Sequence, residues 1–333
     1  MSKKQTPREV LKVDGESLAR AADELRRGGI VAFPTETVYG LGAHALDKAA
    51  VRRIFEAKGR PSFNPLIVHV ADAAAARALV TEWPRQAEVL AETFWPGPLT
   101  LVLPKRAIVP DLVTGALATV ALRVPAHPVA RALLREAGIP IAAPSANRSM
   151  GISPTTAQHV RASLGDRVDI ILDGGATDVG IESTVIDLTG EVPAILRPGL
   201  ISRIQIEAAI GAVTAPEPVE GAAPRPSPGM LGRHYAPDAD FRVFEDNEAA
   251  VQWIEEAKSE ASETGAIVWS DLDLPGATTI KLPDAPAGYA RGLYAALHRL
   301  DARGCNLILA EQVPDTPEWH AIRDRLNRAA HKS

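Results

Sequence analysis

Between Ala212 and Gly229 the chain places Pro216, Pro218, Pro224, Pro226 and Pro228 among Ala, Glu and Gly. Proline removes a backbone donor, and such a run forms extended, semi-rigid chain with no core of its own. Whatever this sequence folds into is therefore divided here. Residues 1–211 are expected to form one domain, 212–237 a linker and 238–333 a smaller second domain. A length of 333 residues fits two units at roughly 100–200 residues each. The linker closes on Ser227-Pro228-Gly229-Met230-Leu231-Gly232-Arg233-His234-Tyr235-Ala236-Pro237. A plain spacer has no need of Met, Arg, His and Tyr together.

Composition narrows the class. Hydrophobic residues make up 46% and charged residues 23%, as in ordinary globular proteins. The net charge of −5 excludes a generally basic nucleic-acid coat but not a local basic cleft. Cys305 is the single cysteine, so neither an internal disulfide nor a Cys-based zinc motif can form. No apolar run approaches the ~20 residues of a membrane helix. Residues 1–7 lack the apolar core of a signal peptide, and a cytoplasmic location without membrane contact is expected.

In the first domain, Ile30–Phe33 reads as a buried strand that runs into Pro34-Thr35-Glu36-Thr37-Val38-Tyr39-Gly40-Leu41-Gly42. In open α/β sheets ligands sit beyond the carboxyl ends of strands. Thr35 and Thr37 offer hydroxyls, and Gly40 and Gly42 would let the backbone approach a ligand. An ordinary capped turn explains the stretch about as well. Asp47 caps a helix that ends at Lys58-Gly59-Arg60-Pro61. Taken alone, Lys58 and Arg60 are best read as surface cations complementing a helix dipole. His69 lies within the apolar strand Leu66–Val70, where a hydrogen-bonded core role is commoner than a ligand contact. On the strand Thr119–Pro125, Thr119, Ala121 and Arg123 share a face; Arg123 either sits in water on an edge strand or, the reading its apolar flanks favour, has an anionic partner. Pro144-Ser145-Ala146-Asn147 again follows a buried strand, and Ser153-Pro154 reads as an N-cap with the first helical residue. Ser183 and Thr184 open a strand, and Arg197 closes one. Strands and helices mix without clean βαβ alternation, which predicts an α/β chain: an open, mixed, twisted sheet of α+β character, followed by a small Rossmann-like α/β domain. If Lys58, Arg60, Arg123 and Arg197 share one cleft, that cleft suits a polyanion. Neither a GxxxxGK[ST] loop nor a GxGxxG fingerprint is present.

Taken in order, these fragments resemble the YrdC-type L-threonylcarbamoyladenylate synthases. They are Pro34–Leu41, Lys58-Gly59-Arg60-Pro61, Asn64-Pro65-Leu66 with His69, Leu122-Arg123-Val124-Pro125, Pro144–Asn147, Gly180–Val185 and Leu196-Arg197-Pro198-Gly199. The linker motif and the second domain resemble the family's long form. The resemblance implies that L-threonine, bicarbonate and ATP give threonylcarbamoyl-AMP and pyrophosphate. A separate transferase complex would then use the product to modify an adenosine beside the tRNA anticodon. It also implies roles. Lys58, Arg60, Ser145 and Asn147 would form the catalytic set around the triphosphate, with Asn64, Thr119, Ser153 and Arg197 completing the nucleotide site. Thr35, Thr37, His69, Arg123 and Ser183 would hold threonine, Arg123 pairing its carboxylate. Tyr235 would reach back over the nucleotide and make the linker a lid. Mg²⁺ would accompany ATP with no dedicated protein ligands. A double-stranded RNA or tRNA binder without synthase activity is the main rival, and weak RNA contact fits either reading. The acidic net charge and the scarcity of aromatics near the cleft weigh against it. A carbamoyl-transfer enzyme is a second rival, but the cysteine-rich zinc segments expected of one are absent.

Overall fold

The computed structural model describes residues 9–214, 234–259 and 262–331. The linker motif Ser227–Arg233 lies outside the described residues.

The larger sheet takes its strands from the first two thirds of the chain. They are β1 (Glu9–Lys12), β2 (Val31–Pro34), β3 (Tyr39–His44), β4 (Ile67–His69), β5 (Leu99–Pro104), β6 (Thr119–Arg123), β7 (Ile141–Ala142), β8 (Ile170–Asp173), β9 (Thr184–Asp187) and β10 (Ala194–Arg197). Their order across the sheet is β1-β8-β2-β3-β7-β4-β6-β5-β9-β10. Parallel pairs (β1/β8, β4/β6, β5/β9) interleave with antiparallel ones (β2/β3, β5/β6, β9/β10), giving the mixed sheet expected. The smaller sheet holds β11 (Asp240–Phe244), β12 (Thr264–Val268), β13 (Thr278–Lys281) and β14 (Leu307–Glu311). It is wholly parallel, in the order β11-β14-β12-β13, and is flanked by helices as a Rossmann-like unit requires.

Two elements that shape the site have clear local causes. The helix Lys48–Lys58 begins at Asp47, whose carboxylate accepts from the amides of Ala49 and Ala50. It ends at Gly59, left-handed at φ +61°, so glycine rather than Pro61 stops it. Val51, Ile54 and Phe55 face the core as their spacing predicts. In the second domain the helix Pro286–Ala302 buries Tyr289, Leu293, Ala296 and Leu297.

Two local expectations are corrected. The threonine-rich stretch is a β-hairpin: β3 turns back antiparallel on β2, pairing Pro34 with Tyr39 and Phe33 with Gly40. Ser153-Pro154 does not start a helix. Thr156 is the N-cap of Ala157–Leu164, and the amide of Tyr39 donates to Pro154 O at 2.8 Å, tying that residue to β3 ahead of the helix.

The two domains share a core. Val38, Ile152 and Ile181 of the first pack with Tyr289, Leu293 and Leu297 of the second.

Candidate active site

The sheet brings distant residues to one edge. His69 and Arg123 are register partners at the carboxyl ends of parallel β4 and β6. Antiparallel β5 places Thr100 beside them, and Thr184 and Arg197 follow through β9 and β10. The hairpin turn of β2 and β3 covers this edge, and Gly40 bridges to Ser145. Together they enclose a cavity of about 50 Å³. Among its lining residues are Thr35, Thr37, Arg60, His69, Arg123, Ser145, Glu182, Arg197, His234 and Tyr235.

Lys58 is buried at 3% exposure, not a surface cation. Its Nζ donates to Ser145 O at 2.6 Å and to Asn147 O, spanning from the helix end to the next loop. Burial, reinforced by Arg60, pushes its pKa well down. Arg60 donates to Asn64 O at 3.3 Å and to Pro65 O at 3.0 Å. Burial and the charge of Arg197 bring it down to about 10. Arg197 donates to Ser183 O and Ser183 Oγ, each at 3.1 Å. Ser183 Oγ is also 2.8 Å from Thr100 Oγ1. Arg60, Arg123 and Arg197, far apart in the chain, thus line one hollow, and Lys58 lies near enough to feel the Arg60 charge without lining it.

Arg123 already has an anionic partner. Its Nη2 donates to Glu36 Oε1 at 2.7 Å, Nη1 to Thr37 Oγ1 at 3.0 Å and Nε to Gly97 O at 3.3 Å. Thr37 Oγ1 sits 2.8 Å from Thr35 Oγ1. Burial alone would raise the Glu36 pKa, but the Arg123 charge and hydrogen bond outweigh it and hold it low. Ser153 Oγ donates to Glu182 Oε1 at 2.6 Å. Asn147 Nδ2 donates to Arg148 O and Gly151 O. Thr119 is only partly buried and lies at the far end of β6 from Arg123.

Glu36, Glu182 and His234 escaped the reading of site residues, although Glu36 stood inside the threonine motif. Burial, with the cations Arg60, Lys58 and Arg197 adding to it, brings His234 down to about 3. His69 is lowered to about 3 by burial and then by Arg123, so both rings are neutral. Two residues lining the cavity carry a buried atom without a partner among the described residues, His69 Nδ1 and His234 Nδ1, and so do Asn64 and Asn147, whose backbone oxygens accept from Arg60 and Lys58. Each unmet group costs about 1–3 kcal/mol unless something else meets it, so the cluster is built for a polar ligand.

Residues 23–199 match the Sua5/YciO/YrdC family, described as telomere recombination. Residues 201–331 match the threonylcarbamoyl-AMP synthase C-terminal domain. The chain is 46% identical to the threonylcarbamoyl-AMP synthase of Pyrococcus abyssi, over 93% of each chain. It is 44% identical to the synthase of Bacillus subtilis, over 96% of this chain and 94% of that one. A crystal structure of P. abyssi Sua5 complexed with L-threonine superposes with a TM-score of 0.90 at 43% identity, covering 97% of both chains. With both profiles matched in sequence, the chain belongs to the Sua5/YciO/YrdC family in its two-domain form.

Proposed function

We propose that this chain is a threonylcarbamoyl-AMP synthase: the L-threonine amine and bicarbonate form a carbamate with loss of water, and the carbamate and ATP give threonylcarbamoyl-AMP and pyrophosphate. The observation that carries this reading is the meeting of Arg60, Arg123 and Arg197 at one cavity with the unmet Nδ1 atoms of His69 and His234, while Lys58, Asn64 and Asn147 stand next to its lining residues without lining it. In the reaction a carbamate oxygen attacks the α-phosphorus and the α–β phosphoanhydride bond breaks, pyrophosphate carrying away the electron pair. Little covalent work falls to the protein, so positioning and charge neutralisation dominate.

Arg60 and Arg197 face the phosphates in this reading. Lys58 ties the Ser145–Asn147 loop to the helix end, which sets Ser145 and Asn147 for the nucleotide. At the threonine end, Arg123 has more N–H donors than its three bonds use, leaving donors for the substrate carboxylate. Neutral His69 presents an unpartnered Nδ1 to the amino acid. In this reading His234 and Tyr235, which line the cavity, move aside to admit ATP and return over it. Returning, they exclude water from a hydrolysable adenylate.

Mg²⁺ enters this proposal with the triphosphate. The described residues hold no cluster of three His, Cys, Asp or Glu suited to a metal, and Glu36 and Glu182 are both salt-bridged. The product would pass to a tRNA-modifying transferase in the cytoplasm. Among the described residues no helix is long and apolar enough to cross a membrane.

Pyrophosphate release from ATP tests the reading. It should need both threonine and bicarbonate, and release indifferent to both would refute it.

A further inference from the structure

The last helix, His320–Ala330, carries an arginine where its apolar face should be. Ala321, Ile322, Leu326 and Ala329 on that helix are core, and Arg325 is buried with them at 1% exposure. Burying a guanidinium is costly without partners. Its partners lie in the other domain, in the returning segment and, for Asp324, on its own helix. Arg325 Nε donates to Glu182 Oε2 at 2.8 Å, and Nη1 donates to Asp324 Oδ2 at 2.7 Å. Its guanidinium carbon stands 5.1 Å from the ring centre of Tyr235. Tyr294 donates its hydroxyl to the same Glu182 oxygen at 3.0 Å and stacks on Tyr235 with ring centres 5.9 Å apart. Glu182 therefore divides its oxygens: Oε1 takes Ser153 of the first domain, and Oε2 takes Arg325 and Tyr294 of the second.

Tyr235 sits in a costly backbone state. Its φ is +63°, and Met150 on the neighbouring segment is at +72°. A left-handed non-glycine residue is strained and persists only where its surroundings over-determine it. Two backbone bonds pin the flanks. The amide of His234 donates to Arg328 O at 3.2 Å, and the amide of Ala236 donates to Met150 O at 3.1 Å. One anchor is in each domain, and the ring between them is held by Arg325 and Tyr294.

We infer that Arg325 is a positioning residue through which the C-terminal domain closes the site, holding Tyr235 and Glu182 over the cavity. Glu182 adjoins Ser183, which receives Arg197, so the same contact fixes the neighbouring phosphate-facing arginine. The inference rests on the proposed synthase reading for its kinetic consequence, but its structural part stands apart from the reaction.

The test uses the full chain with Arg325→Gln and Arg325→Lys. Hydrogen exchange at the amides of His234 and Ala236 should quicken at least tenfold in Arg325→Gln. Exchange in the core of the helix Pro286–Ala302 should stay within twofold. The kcat should fall at least tenfold with KM for threonine changed less than threefold, and Arg325→Lys should recover part of both effects. Unchanged exchange at 234 and 236, or loss spread evenly over the whole domain, overturns the inference. Should Arg325→Gln fail to fold, Tyr294→Phe keeps the ring and removes one bond to Glu182. Exchange at 234 and 236 should then rise severalfold, and no rise overturns the inference. A wild-type chain that makes no adenylate would sink the synthase reading and leave the exchange result standing.

Discussion

Glu36 Oε1 and Arg123 Nη2 lie 2.7 Å apart, both side chains under 10% exposed, and Arg123 lines the cavity. Their separation in sequence hides this pair. A substrate carboxylate brought to Arg123 thus meets an arginine whose charge is already partly offset and whose orientation is fixed. Glu36 therefore sets the geometry and weakens the pull. Glu36→Gln should keep a hydrogen bond to Arg123 but strip the charge. We expect a destabilisation of about 1–3 kcal/mol and a change in KM for threonine of at least fivefold, with KM for ATP within twofold. Initial rates at varied threonine and ATP check this, and equal changes in both constants would remove Glu36 from the threonine end.

Lys58 is the second case. The sequence placed it on a turn in water, where removal costs little. It is instead a buried donor to two carbonyl oxygens. Lys58→Ala should abolish adenylate formation and also lower the melting temperature, because each carbonyl left unpaired costs about 1–3 kcal/mol. Calorimetry beside the pyrophosphate assay separates the two effects. A variant as stable as the wild type would show that water replaces the ammonium, and that the loop 145–149 needs no tether.

How far the site could be read from sequence follows from the same residues. Asp47 and Gly59 mark a helix locally, so that helix was legible. His69 and Arg123 each stood out as a polar residue in an apolar strand, though not as sheet neighbours. β3 was missed because Tyr39-Gly40-Leu41-Gly42 contains two glycines, which are depleted in strands. Gly42 turns out to serve packing rather than ligand approach: a Cβ there would lie 2.7 Å from Ile141 Cγ2 and 2.8 Å from Phe33 Cε1. Glu182 and Arg325 were invisible because each looks like a surface charge until its partner, 143 residues away, is folded against it.

The buried histidines fix an acid response. His69 and His234 fall from 6.5 to about 3 through burial, so the folded chain keeps them neutral while the unfolded chain protonates below about 6.5. Their folded pKa values are the lower ones. The stability they contribute is therefore complete above pH 6.5 and is lost as pH falls toward 3. Glu182 adds a second loss at lower pH. Burial raises it, but Arg325 and Arg197 hold it at about 2 against an ordinary 4.5. The melting temperature should drop between pH 7 and pH 5, and His69→Gln should flatten part of that slope. Other partly buried histidines push the same way, so the difference between the two slopes is the measurement that decides. Identical slopes would mean that His69 is protonated in the folded chain.

Gly180 gives a test of domain closure that touches no charge. Its φ is +82°, and an added Cβ would lie 2.4 Å from Ala290 O and 2.5 Å from Arg291 Cα. Both obstacles are backbone of the helix Pro286–Ala302, so no rotamer change relieves them. Gly180→Ala must therefore strain its own turn or push that helix away from the first domain, at about 1–3 kcal/mol. The bond from Arg291 Nε to Asp178 O, now 2.7 Å, would lengthen with it, and Tyr294 on the same helix would draw back from Glu182. We expect kcat to fall at least fivefold while each sheet keeps its own exchange protection, with faster exchange confined to the interface and to 234–236. A variant with wild-type turnover and a displaced helix would show that the second domain need not seat fully for the reaction. Lost turnover with an undisturbed interface would place the effect in the Gly180–Thr184 turn itself, beside Arg197.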